Sequence, residues 1–177
     1  MKHDTYMVDI LDKGGHIIGQ KPRYEVDKRV DVFHGVHVVL MTPRGELVVS
    51  LIPKRDDLPN LYSELLGSTM ATIRHHGETA EEAARRGLKR DLLIEEAELK
   101  LLRDGMVKLS DGRWSYLTAY LLVADRPILY RALNVGELVI ITPEGVDVAM
   151  TMHADRFAPT LKVIWPSLHE QRITKEG

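Results

Sequence analysis

The chain has 177 residues, with 24 Lys and Arg against 26 Asp and Glu, no cysteine and 44% hydrophobic residues. That length and composition suit a single globular unit with a core large enough to stand without a disulfide staple. The balanced charge excludes the basic footprint of a nucleic-acid-polymer binder, and the lack of cysteine excludes thiolate metal sites, iron–sulfur clusters and cysteine nucleophiles.

Taken in chain order, residues 6–11 and 16–20 flank Gly14-Gly15 and predict a β-hairpin. Lys21-Pro22-Arg23 ends its second strand. Residues 32–41 are apolar and β-branched and predict a strand, turned at Thr42-Pro43-Arg44-Gly45 into a second strand over 46–52. Residues 53–60 are charged and proline-bounded, which predicts a loop, and residues 62–73 are extended around Gly67. Thr79-Ala80-Glu81-Glu82 has the form of a capping box. Ala83, Ala84, Leu88 and Leu92 then recur at helical spacing, with Glu81–Arg85 and Glu82–Arg86 as i,i+4 pairs. Two strands over 99–109 and 113–124 join at Ser110-Asp111-Gly112, a strong hairpin signal. A short strand over 138–142, a helix start at Pro143 and a last helix over 157–172, kinked at Pro166, complete the chain. No signal-peptide core opens the sequence and no apolar run approaches the ~20 residues of a membrane span, so the expectation is a cytoplasmic protein with no membrane partner.

The chemistry concentrates in residues 71–94. Gly77-Glu78-Thr79, then Arg86, Leu88, Asp91 and Ile94, resemble the box of the Nudix superfamily, G-x5-E-x7-R-E-U-x-E-E-x-G-U with U aliphatic. Glu78 takes the first glutamate position, Arg86 the arginine, Leu88 and Ile94 the aliphatic positions, and Asp91 the last glutamate position. Thr72 stands for the opening glycine, Gly87 and Arg90 for two helix glutamates, and Leu93 for the closing glycine. The hairpin, Lys21-Pro22-Arg23, Arg44-Gly45-Glu46-Leu47 and the Lys54-Arg55 loop resemble the subgroup that holds isopentenyl diphosphate isomerase and its hydrolase relatives. Isomerase activity is disfavoured, because that enzyme needs a cysteine and this chain has none.

The resemblance implies an α/β fold: a Nudix-type α/β/α sandwich with a mixed sheet and an N-terminal β-hairpin. Residues 1–30 would form a hairpin extension and residues 31–177 the Nudix-like domain. It also implies hydrolysis of a nucleoside diphosphate linked to another moiety. Mg²⁺ or Mn²⁺ would be held by Glu78 and Asp91, with a later acid such as Glu137. Divalent metal suits such a substrate because it neutralises the diphosphate and activates water, and it wants several carboxylate oxygens. The alternative is a catalytically inactive domain that binds a phosphorylated small molecule or nucleotide through Arg86 and Arg90, since a guanidinium holds phosphate oxygens without deprotonating water. A third reading is a homodimeric scaffold.

Lys54 and Arg55 sit on a loop that could reach a substrate phosphate. Gly87 costs a helix interior about 1 kcal/mol relative to alanine, so it signals a close approach, a packing contact or a drifted position. Glu95, four residues beyond Asp91, would give a displaced carboxylate pair if the helix reached it. His75 and His76 diverge in an extended segment and are expected in solvent, and His34 and His37 point to opposite faces of their strand.

Overall fold

The computed structural model describes residues 6–54, 61–124 and 137–176, with side chains as far as residue 171. The first hairpin is β1 (Met7–Leu11) against β2 (Ile17–Pro22), a two-stranded sheet of its own. Asp12 closes its turn by accepting the backbone N–H groups of Gly14 and His16. β2 continues through Lys21 and Pro22 before a single helical turn at Arg23–Glu25, because Pro22 lies at the strand's end, where its missing donor disturbs no interior pairing.

Among the described residues the main sheet has seven strands: β3 (His34–Met41), β4 (Leu47–Leu51), β5 (Leu66–Gly67), β6 (Met70–Ile73), β7 (Lys100–Lys108), β8 (Trp114–Val123) and β9 (Leu138–Ile141). β3 is its centre. It runs parallel to β8 along its whole length and pairs antiparallel with β6 over its first half and β4 over its last two residues. Thr69 fills the fork between β4 and β6. Its Oγ1 donates to the Val48 carbonyl and accepts the Leu40 N–H at 2.8 Å, so a buried hydroxyl satisfies two backbone groups the ladder leaves open.

Alternation along β3 sorts the layers. Val36, Val38 and Leu40 pack on α1 (Ala80–Leu92) through Ala83, Ala84 and Leu88. Val39 and Met41, with Leu117, Ala119 and Leu121 of β8, pack on the other face against Leu161, Ile164 and Leu168 of α3 (Pro159–Glu176) and Val146 of α2 (Pro143–Met152). The result is a helix–sheet–helix sandwich with a mixed sheet and an added hairpin, as the sequence implies. α3 continues through Pro166.

α1 is the best-specified element. Thr79 Oγ1 accepts the Glu82 N–H at 3.1 Å and the Glu82 carboxylate accepts the Thr79 N–H at 2.7 Å, a complete capping box. That use of Glu82 corrects one expectation: Arg86 pairs with Glu78 instead, while Glu81–Arg85 forms as expected at 2.7 Å. The helix stops at Leu92 because Leu93 turns left-handed, at φ 55°. Glu95 therefore lies beyond it and pairs with Lys89 at 3.3 Å, so no displaced carboxylate pair forms with Asp91. Among the described residues no helix is long and apolar enough to cross a membrane.

Candidate functional site

Both carboxylates of the box are closed by arginines. Glu78 lies just before the α1 cap. Arg86 grips it with two hydrogen bonds, Nε to Oε1 at 2.7 Å and Nη2 to Oε2 at 3.1 Å, and the His75 N–H adds a third at 2.9 Å. Burial pushes the Glu78 pKa up, but the Arg86 guanidinium and the His75 N–H outweigh it and hold the carboxyl below its ordinary value. Arg86 also donates to the Ile73 carbonyl at 2.9 Å, so the same side chain fastens α1 to β6.

One turn on, Arg90 takes Asp91 in the same way, Nε to Oδ1 at 2.6 Å and Nη2 to Oδ2 at 2.8 Å. Asp91 is buried. Arg86 and Arg90 converge on the Thr72 hydroxyl, at 3.3 and 3.4 Å, where the Nudix box begins with glycine. Between them, Gly87 leaves room for Met70 of β6: a Cβ there would collide with the Met70 thioether. Packing therefore accounts for this glycine, and the apolar Met70 side chain occupies the space over it.

This arrangement does not fit a divalent cation. Mg²⁺ and Mn²⁺ want several unencumbered hard oxygens. Here two carboxylates remain, each already in a bidentate ion pair. Among the described residues no group of three or more His, Asp or Glu is placed to hold a metal ion.

Beside this helix end lies a cavity of about 310 Å³. Its walls come from β3 (Gly35, His37), β6 (Ala71, Ile73), the first residues of β8 (Trp114, Ser115) and the segment after the hairpin (Lys28, Asp31, Phe33), and it reaches Arg90 and Asp91. Four cations line it: Arg23, Lys28, Arg90 and Arg113. Its two acids are engaged, Asp91 by Arg90 and Asp31 by Lys21 at 2.8 Å. Arg113 pairs with Asp111 at 2.9 Å, lies 5.0 Å over the Tyr62 ring and donates to the Lys28 carbonyl, which ties the β7–β8 turn to the opposite rim. Arg23 and Lys28 have no ion-pair partner among the described residues. Burial, then the neighbouring Arg23 and Arg113, push the Lys28 pKa down to about 8. An arriving anion would stabilise the charged form of a lysine held this way.

Other predicted residues fall elsewhere. Lys54 is exposed and forms no part of the cavity wall, Arg55 lies outside the described residues, and Glu137 is exposed beside the end of β4. His75 and His76 do diverge. His75 stacks on Tyr6 with ring centroids 3.5 Å apart, and His76 bonds Asp9, a buried acid it shares with Arg74, at 2.8 Å. These contacts dock the hairpin on the loop before α1. His34 and His37 lie on opposite faces: His34 bonds Thr118 at 2.6 Å, and His37 lines the cavity. Sequence reasoning passed over Arg23, Lys28 and Arg113 as site residues. The lone glycine in β3, Gly35, was the available signal of a close approach at that point.

No protein-family model matches the sequence. No curated protein matches it either. Solved structures do. DR0079 of Deinococcus radiodurans, a hypothetical Nudix protein, superposes with a TM-score of 0.70 at 20% identity, over 91% of this chain and 98% of that one. A mutT/nudix family protein of Listeria innocua gives 0.57 at 15% identity, over 81% and 94%. The Nudix domain of Shewanella oneidensis NrtR, in complex with ADP ribose, gives 0.54 at 14% identity, over 85% and 95%. The fold is that of the Nudix superfamily.

Proposed function

We propose that this chain uses the Nudix fold to bind a phosphorylated, nucleotide-like ligand in the cavity, with arginine and lysine in place of divalent metal. One observation carries the reading: among the described residues the cavity's acids are all paired, while Arg23 and Lys28 on its wall have no ion-pair partner. The phosphates would face these two cations and Arg113, with Arg90 at the α1 end. The solved Nudix domain that holds ADP ribose makes that compound the first probe.

The residues support binding and not metal-assisted hydrolysis. Water activation needs a Lewis acid or a free base near the diphosphate. Glu78 and Asp91 are instead charge partners of Arg86 and Arg90. Calorimetric titration of ADP-ribose into the protein in excess EDTA tests the reading. Saturable binding that Lys28→Met weakens about tenfold is expected. The absence of binding would overturn the reading. So would release of a monophosphate product that requires Mg²⁺ or Mn²⁺ and disappears in Glu78→Gln.

A further inference from the structure

The cavity floor carries a second chemistry. Gly35 and His37 are two residues apart on β3 and face the same side of the sheet. The His37 ring is buried, and its Nδ1 shares a hydrogen bond of 3.0 Å with the Ser68 hydroxyl. Its Nε2 has no partner among the described residues. That nitrogen stands over Gly35, 3.6 Å from where a Cβ would lie, and the Ser115 hydroxyl approaches the same point to 3.9 Å. The missing side chain of Gly35 thus leaves a niche in the cavity wall. It is bounded by one imidazole nitrogen and one hydroxyl, with Phe33 and Trp114 among the neighbouring cavity-lining residues.

We propose that this niche is the subsite for an uncharged hydrogen-bonding group of the ligand, a sugar hydroxyl or a nucleobase edge, and that His37 and Gly35 set specificity there. The inference rests on the reading of the cavity as a phosphorylated-ligand site, and it deepens that reading. The rim cations take the anionic part, and the floor distinguishes a nucleotide from a bare polyphosphate.

The chemistry of the floor supports this division. Burial pushes the His37 pKa down to about 4, so the ring is neutral at neutral pH and offers one donor and one acceptor. Such a ring attracts phosphate weakly. It matches a hydroxyl, amide or ring nitrogen, whichever tautomer the Ser68 bond selects. A site built to satisfy such a group discriminates strongly against ligands lacking it, because its own polar atoms are then left unpaired. Ser68 orients the ring, and so it is a positioning residue.

Gly35→Ala is the sharpest test. The added methyl makes only ordinary contacts with His37 and Ser115, so it fills the niche without forcing the strand apart. ADP-ribose and inorganic pyrophosphate are titrated into the native protein, Gly35→Ala and Ser68→Ala. Affinity for ADP-ribose should fall at least tenfold in Gly35→Ala and severalfold in Ser68→Ala, while affinity for pyrophosphate stays within twofold. The ¹⁵N resonance of His37 Nε2 in the native protein should move with ADP-ribose and not with pyrophosphate, a readout that needs no variant. Equal losses for both ligands, no loss for either, or a silent His37 resonance would overturn the subsite while leaving the rim assignment intact. If the native protein binds neither ligand, the cavity reading fails and the subsite with it.

Discussion

The end of α1 and the rim of the cavity are neighbours with opposite electrostatic states. Along α1 the acids are matched by arginines, Glu78 with Arg86 and Asp91 with Arg90, and Glu95 just beyond the helix pairs with Lys89. At the rim Arg23 and Lys28 both line the cavity, and burial, with Arg23 and Arg113 nearby, pushes the Lys28 pKa down to about 8. A Nudix metal site concentrates negative charge, and a ligand anion then needs a metal to enter. In this chain that negative charge is cancelled internally and the uncompensated charge is positive. Among the described residues, the unpaired charge at this site lies on the segment after the hairpin and not on the helix.

The largest effect should come from breaking the matched side. Arg86→Ala strands the partly buried Glu78 carboxylate and removes a bond to the Ile73 carbonyl. A loss of about 2–3 kcal/mol in urea denaturation is expected, set by the cost of leaving a partly buried charge and its acceptors unpaired. If the pair is instead a solvated surface contact, the loss stays below ~1 kcal/mol.

Breaking the unmatched side should leave stability alone and remove binding. Arg23→Ala with Lys28→Met should weaken ADP-ribose binding by at least thirtyfold, about 2 kcal/mol at 1.4 kcal/mol per decade, with an unchanged urea midpoint. Equal affinity in the double variant would return attention to Arg90.

A smaller effect concerns the C-terminal end of α1. Leu93 holds a left-handed conformation where the box has glycine, and its side chain is exposed. Leu93→Gly should stabilise the protein by about 0.5–1 kcal/mol, relief of left-handed strain less the extra freedom glycine gives the unfolded chain. A destabilisation would mean that Leu93 contributes packing its exposure does not suggest.

The gentlest probe is pH. Lys28 loses its charge in the free protein above about pH 8, so anion binding should weaken as pH rises through that value, with proton uptake on binding. Lys28→Arg should flatten the profile to pH 9. A profile already flat in the native protein would remove Lys28 from the site.

What the sequence disclosed was what neighbours in sequence decide. The Thr79–Glu82 box, the Asp111-Gly112 turn and the strand alternation are local, and each stands where expected. The spacing between Glu78 and Arg86 was also legible, although their partnership was not. The i,i+4 spacing pairs Arg86 with Glu82, and the commitment of Glu82 to the cap is what removes it. Gly87 was unreadable in isolation because its reason, Met70, lies on another strand. The cavity was hidden for the same cause. Gly35 and His37 come from β3, Ser68 from a link between short strands, Lys28 from an irregular segment and Arg113 from a turn. No periodicity joins these positions; the sheet does.

The most direct measurement is the affinity of ADP-ribose for metal-stripped protein, once in EDTA and once in millimolar Mg²⁺, with the product mixture analysed after each titration. Equal affinities and intact ligand are expected if arginine and lysine have taken the role of the metal. Binding that appears only with Mg²⁺, or cleavage of the ligand in its presence, would contradict that assignment and show that the Arg86 and Arg90 pairs open to admit a cation.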